Sequence, residues 1–219
     1  MAGRSGARQN GGSGEAALGL PFAHLNLRFN PFGELLPEER GRLAVVDLGT
    51  LPTELAGTRV AVQFLGNHGR GKSTHLLALH QHFPSAAYTQ LHHGDTPDFQ
   101  RAHVQFIDSF DQLARRRRRA VYRVSESIAF TTHEDLSNEL ERFGYRCRTH
   151  VVGGHSPMLV REIVQRRIEF ARRDPGAVPH VSDDDIRVLT ARFGDDIRAL
   201  EGHLYEVFQR LEGLGRVEV

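Results

Sequence analysis

The sequence predicts an α/β protein with a three-layer αβα core, a parallel five-stranded sheet and a small C-terminal helical lid. Short apolar, β-branched runs alternate with helical patterns over the first two thirds of the chain, which is typical of a parallel sheet with helices on both faces. A glycine-rich loop follows the first of these runs. Beyond residue 154 the pattern predicts amphipathic helices and no further strand.

Length and composition fit one globular core with a small appendage. The chain has 219 residues, 39% of them hydrophobic, and its net charge of +1 gives no overall bias towards nucleic acid or membranes. Cys147 is the only cysteine, and the 13 histidines are scattered, so neither a disulfide framework nor a zinc site is expected. We expect a cytoplasmic protein, because no apolar run approaches the ~20 residues of a membrane span and the N-terminus lacks the apolar core of a secretory signal.

Two segments precede the first strand. Residues 1–19 contain little that could be buried, and we expect a disordered tail. Residues 25–46 are denser, with a turn predicted at 30–33 and a helix start predicted at Pro37, which two glutamates follow. Residues 49–57 contain a proline between two glycines and are predicted as a loop.

A phosphate-binding loop directly follows the first predicted strand, residues 59–65. The pattern is G-x-x-x-x-G-K-[ST] in full, and residues 74–83 behind it predict a helix. Its glycines let the backbone approach an anion closely, where loop N–H groups and the helix N-terminus converge. We assign nucleotide binding to the loop and the residue after it: Gly66, Asn67, His68, Gly69, Arg70, Gly71, Lys72, Ser73 and Thr74.

Lys72 and Ser73 have separate tasks in such a loop. Lys72 is expected to reach the β- and γ-phosphates, and the Ser73 hydroxyl is expected to bind Mg²⁺. Lys72 is also the only lysine among the 28 Lys and Arg residues. An ammonium is a compact point charge suited to a phosphate cradle, so the exception falls where the difference from arginine matters. The segment 25–46 then has two open roles, as a cover for the base of the nucleotide or as a packing lead-in.

The second and third strands are predicted at residues 86–91 and 103–108. The third ends in an acid, Asp108, ~35 residues past the loop, as a phosphate-loop fold requires. We expect Asp108 to hold Mg²⁺ through water, opposite Ser73. The carboxylate and the hydroxyl are oxygen ligands of the kind that Mg²⁺ prefers.

Five consecutive arginines, Arg115–Arg119, follow the third strand and are expected on an exposed helix end or loop. Two interpretations stay open at this point. The run is either a solvated basic face or a contact to a phosphate backbone, of nucleic acid, or to a neighbouring subunit. No aromatic residue interleaves with the arginines, which favours the solvated face.

The fourth strand, residues 127–135, ends in polar residues. Ligands bind at the carboxyl ends of parallel strands, so Thr132 and His133 are candidates for sensing the γ-phosphate or positioning the attacking water. Residues 134–143 predict a helix, and residues 146–152 predict the fifth strand.

The last part of the chain predicts a three-helix lid. Residues 158–173 form an amphipathic helix, and a second helix begins at the capping pair Ser182 and Asp185 and ends near Gly194. The third covers residues 195–211. Its apolar residues fall on one face: Ile197, Leu200, Leu204, Val207, Phe208 and Leu211.

Together these features resemble an AAA+ ATPase, over roughly residues 30–212. The resemblance rests on the phosphate loop, Asp108, the polar end of the fourth strand and the helical lid. The segment Asp196-Ile197-Arg198-Ala199-Leu200-Glu201-Gly202 is also similar to the R-x-L-E-G segment in the lid of bacterial replication initiators. There the arginine, called sensor 2, reaches the γ-phosphate, and the resemblance carries that role to Arg198.

Two departures from the family pattern affect the expected activity. Ser109 follows Asp108 where the family has the glutamate that activates water, and the next acid, Asp111, is the candidate replacement. Hydrolysis is therefore expected to be slow or absent. The stretch from Ser73 to Asp108 is short for the family, which favours a compact switch over a translocating ring.

The resemblance further implies partners. In the family an arginine finger comes from a neighbouring subunit, and Arg142 is the candidate here, with Arg146 and Arg148 close by. A homo-oligomer or a protein partner would follow from such a finger. Nucleic acid would be bound through Arg115–Arg119, and no membrane partner is expected.

The predicted function is Mg²⁺-dependent hydrolysis of ATP to ADP and phosphate, coupled to movement of the lid or a partner. The predicted catalytic residues are Lys72, Asp108, Asp111, His133 and Arg198; Arg198 also binds nucleotide, and Ser73 and Asp108 hold Mg²⁺. Adenine is favoured over guanine, because the Asn-Lys-x-Asp guanine reader is absent. The alternative is a nucleotide-gated binding switch with little hydrolysis, in contact with DNA through the arginine run.

We divide the chain accordingly. Residues 1–19 are the tail, residues 20–155 the phosphate-loop core that binds nucleotide, and residues 156–219 the helical lid. The boundary follows Gly153-Gly154, where strand patterns stop.

Overall fold

A five-stranded parallel sheet forms the centre of the molecule. The computed structural model describes residues 21–219, so the predicted tail at 1–19 lies outside the described residues. The strands are β1 (Val60–Leu65), β2 (Tyr88–Gln90), β3 (Ala102–Asp108), β4 (Ser125–Thr132) and β5 (Arg146–Val151). They pair in parallel in the order β2-β3-β4-β1-β5.

Helices cover both faces of this sheet and form the C-terminal lid. They are α1 (Pro37–Leu43), α2 (Leu51–Leu55), α3 (Lys72–His80), α4 (Arg115–Val124), α5 (Ser137–Glu141), α6 (Pro157–Ala171), α7 (Asp183–Phe193) and α8 (Ile197–Gln209). Between residues 21 and 219, no helix combines the length and apolar character needed to cross a membrane.

The sheet separates two apolar cores. On one face Val62 and Phe64 of β1 pack with Leu76 and Leu79 of α3. On the other, buried residues of β3 and β4 pack with α4 and α5: Ile107, Ile128, Phe130, Tyr122 and Leu140. Strands buried on both faces explain the near-continuous apolar runs in the sequence. The predicted three-layer α/β fold with a helical lid is confirmed.

Several elements differ from the prediction, and at three places the local cause is visible. The predicted loop at 49–57 contains α2, because Pro52 fits a first helical turn and Leu55 is buried in the core under β1. The fourth strand stops at Thr132, whose hydroxyl accepts a bond from Glu134 N and donates to Glu134 O, turning the chain. The helix predicted from 134 begins only at Ser137, as α5.

The lid has its own core, which includes the N-terminal segment. Leu25, Leu27 and Phe32 are buried in one cluster with apolar residues of α6, α7 and α8. The buried Arg167 of α6 reinforces this packing by donating to Pro31 O at 2.7 Å and to Gly33 O at 2.6 Å. The segment before the sheet is therefore attached to the lid, a feature that the predicted division at residue 155 does not contain.

The arginine run lies at an exposed helix end, as expected, except for one of its five members. It forms the first half of α4, and Arg118 is buried. Arg118 donates to Leu113 O at 2.9 Å and to both carboxylate oxygens of Glu139 in α5. A helix turns by 100° per residue, so five consecutive residues cannot all face solvent, and here Arg118 faces the protein interior.

Asp185 is the buried acid of the lid. The predicted capping pair is present, since Ser182 Oγ accepts from Asp185 N at 3.2 Å. Arg216 donates to both Asp185 oxygens at 2.9 Å, and these bonds lower the pKa of Asp185 to about 2. The ionised carboxylate therefore stabilises the folded lid.

Asp185→Asn is expected to lower the free energy of unfolding at pH 7 by about 1–3 kcal/mol, the range for hydrogen bonds to a charged group. Because the folded pKa lies below the unfolded one, the difference from wild type is full above pH ~4 and shrinks as pH falls towards 2. Urea unfolding at several pH values measures it. Asp184→Asn, an exposed acid paired with Arg187, is the control. A difference that persists at pH 2 would contradict the assignment.

Candidate functional site

The carboxyl ends of the strands meet at one edge of the sheet. Leu65 at the end of β1 is in register with Thr132 of β4 and with Val151 of β5. Asp108 ends β3 opposite Gln90 of β2. The phosphate loop, the acid of β3 and the chain after β4 therefore start from neighbouring points, as the strand-end argument predicts.

A cavity of about 670 Å³ opens at this edge, between the sheet and the lid. That volume is in the range of small-molecule sites. Most residues assigned from the sequence line it: His68, Gly69, Arg70, Gly71, Lys72, Ser73, Thr74, Asp108, His133 and Arg198. Gly66, Asn67 and Asp111 lie one layer behind, in contact with the lining residues Lys72 and His133.

Lys72 is the first residue of α3 and is largely buried. Its Nζ donates to Gly66 O and Asn67 O, each at 2.9 Å, and lies 3.0 Å from His133 Nε2. All three ammonium protons thus have an acceptor. Burial lowers the pKa of Lys72, while the carboxylates of Asp111 and Asp108 oppose that shift.

Asp108 is buried and held by two hydroxyl groups. Thr131 Oγ1 donates to Asp108 Oδ1, and Tyr88 Oη donates to Asp108 Oδ2 at 3.0 Å. Thr131 also accepts a bond from Ser109 N at 2.7 Å. Thr131 lines the cavity and is a residue that the sequence reading missed.

The sequence predicts Thr132 as a site residue, and that prediction is wrong. Its side chain is fully buried and bonds only to the backbone of Glu134 among the described residues. Neighbours along a strand face opposite sides of the sheet, so only one of the two adjacent threonines can be on the same side as Asp108. The side shared with Asp108 is the signal that identifies Thr131.

His133 joins three parts of the site. Its Nδ1 lies 2.8 Å from Asp111 Oδ2, and its Nε2 faces Lys72. The ring of His68, from the phosphate loop, stacks on it with centroids 4.0 Å apart. An ionised carboxylate only accepts and an ammonium only donates, so we assign the proton of a neutral His133 to Nδ1.

The first turn of α8 lies against the phosphate loop. Arg70 pairs with Asp195 at 3.0 Å, and Asp195 also accepts from His155 N at 2.9 Å. A Cβ at Gly69, whose φ is +78°, would overlap the Asp196 carboxylate. The backbone N–H of Arg198 donates to Gly69 O at 3.3 Å, and its side chain lines the cavity. Loop conformation and lid position are therefore linked.

The far end of the cavity is more apolar. It is lined by the N-terminal segment and by α6, with Phe32, Leu35, Val45, Leu159 and Ile163. The segment at 25–46 thus both lines the cavity and packs with the lid. Neither of the two roles left open by the sequence excludes the other.

His75 on α3 is a buried histidine at the cavity wall. Its Nδ1 lies 3.0 Å from Gly71 O, and its ring stands 5.2 Å from that of His150. Burial lowers the pKa of His75 to about 4. The ring is therefore neutral at pH 7 and adds no charge to the phosphate end.

The donors beside the phosphate loop are of the kind that would hold one Mg²⁺ ion. Ser73 offers a hydroxyl and Asp108 a carboxylate, both on the cavity wall. Among residues 21–219, no group of three or more His, Cys, Asp or Glu side chains is arranged to hold a metal. Mg²⁺ in phosphoryl-transfer sites takes few protein ligands and completes its shell with water and phosphate oxygens, so two donors suffice.

Solved structures of other proteins are similar to this chain, and two of them cover most of it. One is domain III of the replication initiation protein DnaA from Thermotoga maritima, with a TM-score of 0.55 and 12% identity over 80% of this chain and 89% of that chain. The other is NtrX from Brucella abortus in complex with ADP, with a TM-score of 0.55 and 13% identity over 83% of this chain and 56% of that chain. The chain thus spans little more than half of NtrX. No family model matches the sequence, and no curated protein matches it.

Sheet order, phosphate loop and lid together define the phosphate-loop class of α/β folds. Within that class, both similar structures are AAA+ proteins, and this chain has the AAA+ fold. At 12–13% identity the likeness concerns the fold. The resemblance to AAA+ proteins inferred from the sequence is confirmed at that level.

Gly202 offers a test of the cavity. It lies inside α8, a Cβ there would meet open space, and the residue lines the cavity. Gly202→Ala is expected to stabilise the protein by about 0.5–1 kcal/mol through helix propensity, and to weaken nucleotide binding because the methyl group narrows the cavity. Thermal unfolding without ligand and titration with a fluorescent ATP analogue measure the two effects.

Gly213→Ala is the matched control, because a Cβ there also meets open space but the residue does not line the cavity. Its nucleotide affinity should equal that of wild type. Equal loss of affinity in both variants would mean that Gly202 does not border the ligand.

Proposed function

We propose that this protein binds ATP with Mg²⁺ at the cavity between sheet and lid, and hydrolyses it to ADP and phosphate. The hydrolysis is coupled to movement of the lid or of a partner. One observation carries the proposal: Lys72, Asp108, His133 and Arg198, which come from four separate segments of the chain, line a single cavity. The similar NtrX structure, which was solved with ADP, supports a nucleotide as the ligand.

The residues divide the work along the ligand. The loop N–H groups and Lys72 hold the β- and γ-phosphates, and Arg198 adds charge to the γ-phosphate from the lid. The apolar end around Leu159 and Ile163 accommodates the adenine base. Ser73 and Asp108 would hold Mg²⁺, which supplies charge neutralisation between the phosphates. His133, which lines the cavity, orders the water with Asp111 behind it.

Lys72 must change partners for this function. Its bonds to Gly66 O, Asn67 O and His133 Nε2 fix the ammonium at the mouth of the loop. A triphosphate offers stronger acceptors to the ammonium, because its oxygens carry negative charge, whereas the two carbonyls and the imidazole are neutral. Substrate binding thereby exchanges one set of bonds for another.

Lys72→Ala is expected to reduce ATP turnover at least about a hundredfold, because a charge at the γ-phosphate is lost. Phosphate release with Mg²⁺, wild type beside variant, measures it. Arg101→Ala, an exposed cation at the start of β3, is the control and should leave turnover unchanged. Equal turnover in wild type and Lys72→Ala would contradict the proposal.

The alternative is a nucleotide-gated switch with little hydrolysis. Ser109 in the position of the usual glutamate favours it, as do the contacts of Arg70 and Gly69 with the lid. ATP would then set the lid position and so the surface shown to a partner. Tight ATP binding with phosphate release no faster than a blank would establish the switch.

A neighbouring subunit would complete the site in either case. Arg142, Arg146 and Arg148 are exposed at the end of α5 and along the edge strand β5. We retain Arg142 as the candidate arginine finger. The protein would accordingly be cytoplasmic, and its partner would be a second copy of this chain or another protein.

A nucleic-acid contact is the second candidate, through the outer face of α4. Within the described chain, Arg116, Arg117 and Arg119 have no carboxylate within salt-bridge distance, whereas Arg115 and Arg118 both pair with Glu139. Three uncompensated cations on one helix fit a phosphate backbone. The helix begins four residues after Asp111, so DNA bound to α4 would affect the conformation of the cavity.

Replacing Arg116, Arg117 and Arg119 together by Ser is expected to weaken binding of double-stranded DNA and to reduce the salt slope of log K by about 2–3. Fluorescence anisotropy at several salt concentrations measures this, and DNA stimulation of ATP turnover is the second readout. The control variant replaces Arg166, Arg187 and Arg210 by Ser. These lose the same charge but pair with neighbouring acids. Equal effects of both triple variants would mean that only net charge matters.

A further inference from the structure

The phosphate end of the cavity contains a chain of three groups: Asp111, His133 and Lys72. The separations are 2.8 Å from Asp111 Oδ2 to His133 Nδ1 and 3.0 Å from His133 Nε2 to Lys72 Nζ. Asp111 itself does not line the cavity, whereas His133 does. A carboxylate in the second layer cannot reach a water on the γ-phosphate without displacing the imidazole in front of it.

We propose that His133 is the general base of ATP hydrolysis and that Asp111 is its positioning residue. This proposal rests on the proposed function and changes the assignment within it, because the sequence points to Asp111 as the replacement for the missing glutamate. The roles follow the logic of a nucleophile-activating histidine oriented by a buried acid.

The carboxylate is arranged to serve the imidazole alone. Asp111 Oδ1 is buried and has no hydrogen-bond partner within the described chain, and Oδ2 faces His133. The negative charge is therefore available to an imidazolium at Nδ1 and is not spread over other donors. The ring of His68 packs on His133 and restricts its rotation.

Substrate binding would free the basic nitrogen. In this structure Nε2 accepts a bond from Lys72, and the other charged groups acting on Lys72 are Asp108, Arg70 and Arg198. When Lys72 moves to the phosphates, the lone pair of Nε2 is left facing the γ-phosphate end. The base is thus occupied until a triphosphate takes its partner away.

The water oxygen forms a bond to the γ-phosphorus while the bond from that phosphorus to the bridging oxygen breaks, and ADP leaves with the electron pair. The proton of the water passes to His133 Nε2, and the Asp111 carboxylate stabilises the resulting imidazolium. His133 then returns the proton to the phosphate product or to solvent.

His133→Gln is expected to lower kcat by about 10²–10⁴-fold, the usual contribution of a general base. ATP affinity should stay within threefold, because the glutamine oxygen still offers Lys72 an acceptor. Asp111→Asn should lower kcat by at least tenfold, and the double variant should be no slower than His133→Gln alone, since residues acting as a unit are not additive. Added imidazole should partly restore turnover to His133→Gly.

His103 and Glu126 provide a matched control, since they form another histidine–carboxylate pair at 2.9 Å, at the opposite end of the sheet. His103→Gln and Glu126→Gln should leave kcat unchanged. Turnover within threefold of wild type in His133→Gln, or losses that multiply in the double variant, would overturn the base. Equal turnover in wild type and Lys72→Ala would instead overturn the proposed function. The two failures are therefore distinct.

A second measurement needs no turnover. Nitrogen-15 NMR of histidine-labelled protein, with the His133 signals assigned by their absence in His133→Gln, reports which ring nitrogen carries the proton. We expect the proton on Nδ1, and a change at Nε2 when a non-hydrolysable ATP analogue is added. A proton on Nε2 in the free protein would overturn the proposed arrangement.

Discussion

The site depends on the hydrogen bonding of the Lys72 ammonium. A cation this buried is costly unless every proton finds an acceptor, and the acceptors come from the loop itself and from His133. Parallel pairing of β1 with β4 makes this contact available, because Leu65 and Thr132 end their strands in register. The sheet, the loop and the histidine are therefore one arrangement, and a shift of register would remove the third acceptor.

The lid belongs to the same arrangement through the other side of the loop. Arg70 and Gly69 meet Asp195 and Asp196 just before α8, so the loop is in direct contact with the helix that carries Arg198. The N-terminal segment is attached to the same lid, because Arg167 of α6 donates hydrogen bonds to its backbone carbonyls. The phosphate loop and the apolar part of the cavity wall are thereby connected through the lid.

Asp108 and Asp111 lie three positions apart in the sequence, but their side chains have different surroundings. Asp108 receives hydroxyl bonds from Thr131 and Tyr88 and stays at the cavity wall, where a cation can approach. Asp111 sits behind His133 with one oxygen unpartnered in the part of the chain that the structure describes. Two similar acids thus have different surroundings, the condition under which environment gives carboxylates different chemistry.

Local patterns in the sequence were enough for the sheet strands, the phosphate loop and the capped lid helices. Periodicity, glycine spacing and the Ser182–Asp185 pair act over a few residues, and the structure contains each of them. Boundaries were less accurate at α2 and α5, where a buried leucine and a threonine hydroxyl decide the local fold.

The sequence by itself determined that this chain has a phosphate loop on a parallel sheet with a helical lid, because those signals are local and periodic. Only the tertiary structure decided that Thr131 and not Thr132 faces the cavity, that Arg118 is buried, and that His133 stands between Asp111 and Lys72. The physical reason is register: the contact between Lys72 and His133 joins residues 61 positions apart, and strand pairing and helix rotation alone fix which side chains meet.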